Sequence, residues 1–244
     1  MIGFAAAAAF GVFADSTLES SNIVGYNTTD FSGKSIACVG VPFTAVGDAT
    51  TFKLGDFAAE GFDEFSDLLQ TIDPDTADGV DFYIYLDPAN YPSTPGWWLD
   101  DWSTDCNDVE FDVGTGFLGA FGSGAVTIKA AGQVSTDPVT VDFSGKSIVI
   151  VPNPLPRAVT LGEITADGFD EFSDTMQTLD PDTADGVDFY IYLDPANYPS
   201  TPGWWMDDWS TDANDVEIPA GEAMLGAFGS GAVELTFAAA TTTP

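Results

Sequence analysis

The segment DPDTADGVDFYIYLDPANYPSTPGWW fills residues 73–98 and returns, letter for letter, at residues 180–205. This duplication constrains the fold more than any other feature of the chain. FSGKSI stands at 31–36 and again at 143–148, an offset of 112. GFDEFSD at 61–67 and 168–174, and LGAFGSGAV at 118–126 and 225–233, keep an offset of 107. The first copy therefore carries five extra residues between Ile36 and Gly61, where an indel with intact flanks marks a loop. A period near 107 is too long for a solenoid repeat and has the size of a domain. The expected organisation is a signal-peptide remnant over 1–14, repeat domains over 22–132 and 139–240, and a linker over 133–138.

Most of each copy reads as strand. SIACVGVPF (35–43) and SIVIVPNPL (147–155) are apolar, β-branched runs that end near proline. GVDFYIYLD alternates, with Val80, Phe82, Ile84 and Leu86 on one side and Asp81, Tyr83, Tyr85 and Asp87 on the other. WWLDDWS alternates again, placing Trp98, Asp100 and Trp102 together. GFLGAF–GSG–AVTIKA reads as a hairpin turning at Gly122–Gly124. GFDEFSDLLQTID differs: Phe62, Phe65, Leu69 and Ile72 recur at a helical period, as do Phe169, Phe172, Met176 and Leu179. The expected fold class is mainly β, two tandem sandwich-like or barrel-like domains, each with one short helix packed on a sheet.

Charge narrows the function. Thirty-nine acidic residues against five basic give a net charge of −34, which repels nucleic acid and anionic membranes and attracts cations. The chain has no His, the commonest general base and transition-metal ligand. It has no apolar run of 18 residues, so no membrane span is expected. GTGFLG at 114–119 matches a nucleotide-loop pattern, but no helix follows it and the second copy reads GEAMLG. No catalytic signature appears, and an enzyme is not expected.

MIGFAAAAAFGVFA at the start resembles the apolar part of a secretory signal, so the protein is expected outside the cell or on its surface; a buried N-terminal helix or strand is the alternative. Export permits disulfides. Cys38 and Cys106 are both replaced in the second copy, by Ile150 and Ala213, as expected of a bonded pair; two buried thiols are the alternative.

Asp73, Asp75, Asp78 and Asp81, with Asp180, Asp182, Asp185 and Asp188, offer hard oxygen ligands suited to Ca²⁺, although the spacing is not that of an EF-hand. Asp also favours turns, which explains the same residues without a metal. A second acidic group, Asp100, Asp101, Asp105 and Asp108 with Asp87, carries the same two readings. Tyr83, Tyr85, Trp98 and Trp102, and in the second copy Tyr190, Tyr192, Trp205 and Trp209, would form an aromatic sheet face edged by carboxylates. Such a face is core, or a platform for sugar rings, or an interface with another copy.

The order of pieces, Asn22–Tyr26, Asp78–Leu86, Trp204–Asp208 and Ile218–Phe237, resembles a loosely defined group of exported bacterial β-rich tandem-repeat proteins. The resemblance implies an exported, modular, β-rich chain and no particular activity. The expected role is a non-catalytic structural or adhesive protein at the cell surface, a subunit of a layer or filament with itself as partner and cations easing the repulsion. The other expectation is a tandem carbohydrate-binding module with an extracellular polysaccharide as partner.

Overall fold

The computed structural model describes residues 24–45, 50–72, 80–179 and 187–239. The chain is mainly β, 45% strand with almost no helix, and is built from small antiparallel sheets. The first half contributes β1 (Val24–Asp30), β2 (Ile36–Val39), β3 (Thr51–Lys53), β4 (Phe57–Glu60), β5 (Asp67–Gln70), β6 (Phe82–Leu86), β7 (Gly96–Leu99), β8 (Glu110–Asp112), β9 (Phe117–Phe121) and β10 (Thr127–Gln133). They form a three-stranded sheet β1-β10-β4, a five-stranded sheet β2-β9-β5-β6-β7 and the pair β3-β8.

The second half repeats every sheet. Its strands are β11 (Val139–Asp142), β12 (Ile148–Pro152), β13 (Val159–Thr160), β14 (Ile164–Asp167), β15 (Asp174–Gln177), β16 (Phe189–Leu193), β17 (Gly203–Met206), β18 (Glu217–Ile218), β19 (Ala223–Phe228) and β20 (Glu234–Phe237). Their order is β11-β20-β14, β12-β19-β15-β16-β17 and β13-β18. The four larger sheets take a propeller-like, four-blade arrangement in place of the two sandwich domains that the sequence suggests. Each half still has its own apolar core, to which both of its larger sheets contribute.

Period-2 burial explains how the sheets close on that core. In β9 Phe117, Gly119 and Phe121 face inward, in β5 Asp67 and Leu69, in β6 Tyr83 and Tyr85, and in β7 Trp97. Trp97 is fully buried and its Nε1 donates to the carbonyl of Phe57 at 3.1 Å, joining the five-stranded sheet to the three-stranded one. Trp204 does the same with Ile164 at 2.8 Å.

Three expectations are corrected. The helix over residues 61–73 is absent: a single turn at 64–66 leads into β5. Asp63 opens the turn as an N-cap would, its side chain accepting from the Phe65 amide at 3.0 Å and its carbonyl from the Ser66 and Asp67 amides. The turn goes no further because Asp67–Gln70 pair with Phe121–Leu118 in the sheet, so tertiary pairing overrides the helical period. The GSG hairpin is also absent. β9 and β10 lie in different sheets, so Gly122–Gly124 is a crossover between layers.

The third correction concerns the cysteines: Cys38 and Cys106 are free and buried. Cys38 lies on edge strand β2, and Cys106 follows β7, donating its amide to Trp97 across the opposite edge. Four strand spacings of about 4.8 Å separate β2 from β7, well beyond disulfide reach. Burial and the Glu222 charge push the Cys38 thiol up to about 12, so it is unreactive at neutral pH. Residues 1–14, and Asp73, Asp75, Asp78, Asp180, Asp182 and Asp185, lie outside the described residues. No helix among the described residues is long and apolar enough to cross a membrane.

Candidate functional site

The aromatic face divides when placed in the fold. Tyr83, Tyr85, Tyr190 and Tyr192 are core residues, exposed by only 2%, 6%, 3% and 6%. Their rings pack inside, and the hydroxyls of Tyr83 and Tyr190 donate outward to Asp81 at 3.4 Å and Asp188 at 3.5 Å. Those two carboxylates therefore serve buried phenols. Trp98 and Trp205 are half-buried on the outer face of the five-stranded sheets. Trp205 Nε1 donates to the Thr201 carbonyl at 3.2 Å, while the Trp98 Nε1 is buried without a partner.

Trp102 and Trp209 alone keep the expected exposure, each 42%. Each has a companion that the sequence reading assigned to a helix. Phe65, 79% exposed, packs on Trp102 with ring centroids 5.2 Å apart and planes 30° apart. Phe172, 80% exposed, packs on Trp209 at 5.4 Å and 31°. Large apolar rings this open to water are uncommon, and here the same pair is open twice.

The backbone under the indoles is strained. Trp102 has φ 61° and Trp209 φ 59°, the only non-glycine residues in the left-handed region among the described residues. A bulky side chain costs about 1–2 kcal/mol there. The turn that imposes this conformation is held by a carboxylate. Asp101 accepts from the amides of Ser103 and Thr104 at 2.8 and 3.0 Å and from the Thr104 hydroxyl at 2.9 Å. Asp208 repeats the set with Ser210 and Thr211. The Trp102 and Trp209 amides close the turn on the Leu99 and Met206 carbonyls at 3.0 Å.

The partner ring is fixed from below. Asp67 and Asp174, fully buried, accept from the Asp63 and Asp170 amides, fastening the turn that carries Phe65 or Phe172. Tyr198 lies beside Trp209 at 6.5 Å between ring centroids, and Tyr91 and Tyr198 donate to Glu64 at 2.5 Å and Glu171 at 2.6 Å, the residues preceding Phe65 and Phe172. That bond to a carboxylate, followed by partial desolvation, raises both phenols above their ordinary range. Each site is thus a pair of exposed rings carried on two hydrogen-bonded turns.

Members of the second acidic group anchor turns or pair with a lysine. Asp87 accepts from the Ala89 amide at 2.7 Å, Asp105 from the Asn107 amide at 2.9 Å, and Asp108 from Lys53 at 2.9 Å. Among the described residues no group of three or more acidic or Cys side chains is placed to hold a metal. Donation from the Ser210 amide, the Thr211 hydroxyl and the Thr211 amide holds Asp208 down at about 2. A folded value below the unfolded one stabilises the turn fully above the ordinary carboxylate range. That contribution is lost as the pH falls through about 2. Carboxyl-detected NMR should therefore place the Asp208 midpoint near 2, against 3.8 for a free aspartate; a midpoint near 3.8 would mean that the turn under Trp209 is not formed in solution.

Phe65 could have been found from the sequence only by noticing that FDEFSD offers an Asp two residues before it for a local turn. Comparison with family models, with curated proteins and with solved structures finds no match to this chain, so its function rests on the geometry of these two sites.

Proposed function

We propose that the protein is a non-catalytic adhesive module of the cell exterior that stacks neutral saccharide rings on Phe65–Trp102 and Phe172–Trp209. The observation that carries this reading is the repetition of one exposed pair of contacting, tilted aromatic rings whose tryptophan sits on a strained backbone. Backbone strain of this kind clusters at functional sites. A pyranose with equatorial substituents offers apolar C–H faces to aromatic rings and hydroxyls to surrounding carboxylates. A neutral, hydroxyl-rich ligand also suits a chain of net charge −34, which repels anions.

The layer or filament subunit is the weaker reading. Two copies at −34 repel one another, and the expected aromatic sheet face that would hold them together is mostly buried, its tyrosines in the core. Counter-cations, Ca²⁺ among them, act in either case by screening that charge. Secretion accords with the apolar run at residues 1–14 and with the resemblance to exported tandem-repeat proteins.

The test is tryptophan emission of the intact chain titrated with neutral polysaccharides, hydroxyethyl cellulose first. Replacing Trp102 and Trp209 together by Gly should lower affinity at least about 30-fold, the scale of losing about 2 kcal/mol per aromatic hot spot. Stability should hold or rise, because Gly accepts positive φ without strain. Unchanged emission with every neutral glycan, or full binding by the double variant, ends this reading.

A further inference from the structure

The contacts between the halves have a definite symmetry. Gly114 of the first half lies so close to Val141 of the second that a methyl group would collide. The equivalents of these residues are Gly221 (114 + 107) and Thr29 (141 − 112), and a methyl at Gly221 would collide with Thr29. Both glycines have positive φ, 94° and 83°, which fits them to this close approach. β2 contacts β12, its own equivalent.

Two matching clefts of about 150 Å³ flank that contact. One includes Lys34, Cys38, Leu179 and Glu222; the other includes their equivalents Lys146, Ile150, Ile72 and Thr115. Two further contacts occur on one side only: the Gly40 amide donates to the Gly221 carbonyl at 2.9 Å and the Lys34 side chain meets Glu222 at 3.4 Å, where the equivalents are Pro152, which has no N–H, and Lys146 with Thr115.

When residue i of one unit meets j of the other and the equivalent j meets i, the relation is isologous. The operation that carries the first half onto the second then carries the second back onto the first, and is a rotation by 180°. Phe65–Trp102 and Phe172–Trp209 occupy equivalent positions, so the same axis relates them.

This bears on how two sites meet a polysaccharide, whose chain has a direction. A half-turn reverses any path perpendicular to the axis. It carries a path parallel to the axis to the far side. A straight glycan seated on one pair therefore never runs on to the other in the same sense. We infer that the protein is a cross-linker, each ring pair holding a separate glycan chain. The inference rests on the saccharide reading above and adds the partner arrangement: two neutral chains per protein, with no gain in affinity from spanning one.

The experiment uses the intact chain with two probes, cellohexaose and hydroxyethyl cellulose. Emission reports binding and light scattering reports cross-linking. The expected result is two equal cellohexaose sites per chain. With the polymer, scattering should rise to a maximum at intermediate protein and fall again in excess. Trp102→Gly and Trp209→Gly singly should keep half the emission change and abolish the scattering rise. Polymer binding at least about tenfold tighter for the wild type than for either single variant, without added scattering, would mean that both pairs sit on one chain, and overturns the inference while leaving the saccharide reading intact. No emission change with either probe overturns both.

Discussion

Replacing Asp67 by Ala should destabilise the protein by about 3 kcal/mol, because the carboxylate is buried and each of its oxygens is in use. One oxygen accepts from the Ser123 amide at 2.8 Å, the other from the Ser123 hydroxyl at 2.6 Å and the Asp63 amide at 2.7 Å. These donors come from the crossover between the sheets and from the turn before β5. Truncation strands them, at about 1–3 kcal/mol for each buried group left unsatisfied. Two N–H groups and one hydroxyl meet its two oxygens. For a chain of this size the loss lowers Tm by about 6–12 °C. Urea unfolding monitored by circular dichroism measures it, and a change below about 1 kcal/mol would show the bonds to be incidental. Asp174→Ala, which removes the same bonds to Ser230 and Asp170, should match it within error. Because Asp67 also anchors the Phe65 turn, binding at that ring pair should weaken in the variant while the other pair is unaffected.

The sequence made some elements plain and concealed others for physical reasons. The duplication and the strands Phe82–Leu86 and Gly96–Leu99 were legible, since alternation has one structural meaning in a run that short. The side of β6 that faces the core was not. Both faces are largely apolar or aromatic, and tyrosine satisfies either face by burying its ring while its hydroxyl reaches Asp81. The pair Trp97–Trp98 posed the same ambiguity, settled by the Phe57 carbonyl 40 positions away. Phe62, Phe65, Leu69 and Ile72 mimicked a helical stripe, yet Phe62 and Leu69 are core and Phe65 is not. The joint absence of the two cysteines from the second copy suggested a pair, yet both are free, and nothing in the structure explains why both are replaced. Asp87, Asp101 and Asp105 behave as their residue type predicts, fixing turns through their own neighbours.

Trp97→Ala should cost about 4 kcal/mol, in the range for removing a buried indole. The side chain is fully enclosed, and its ring meets Phe62 at 5.7 Å and Tyr85 at 5.0 Å in edge-to-face contacts. Its larger role is to couple two layers that no backbone ladder joins, since β7 and β4 belong to separate sheets. Trp97→Phe isolates that role. It keeps most of the apolar volume and removes the Nε1 donor, leaving the Phe57 carbonyl unmatched at about 1–2 kcal/mol. If urea unfolding gives Phe the same loss as Ala, cavity size does not set the cost. If Phe costs nothing, the bond between layers is dispensable. The expected order, wild type above Phe above Ala, should recur at Trp204, whose indole makes the 2.8 Å bond to Ile164. Recurrence would show that duplication copied the joint between the sheets along with the strands, so that each half can hold its own ring pair rigidly against its own core.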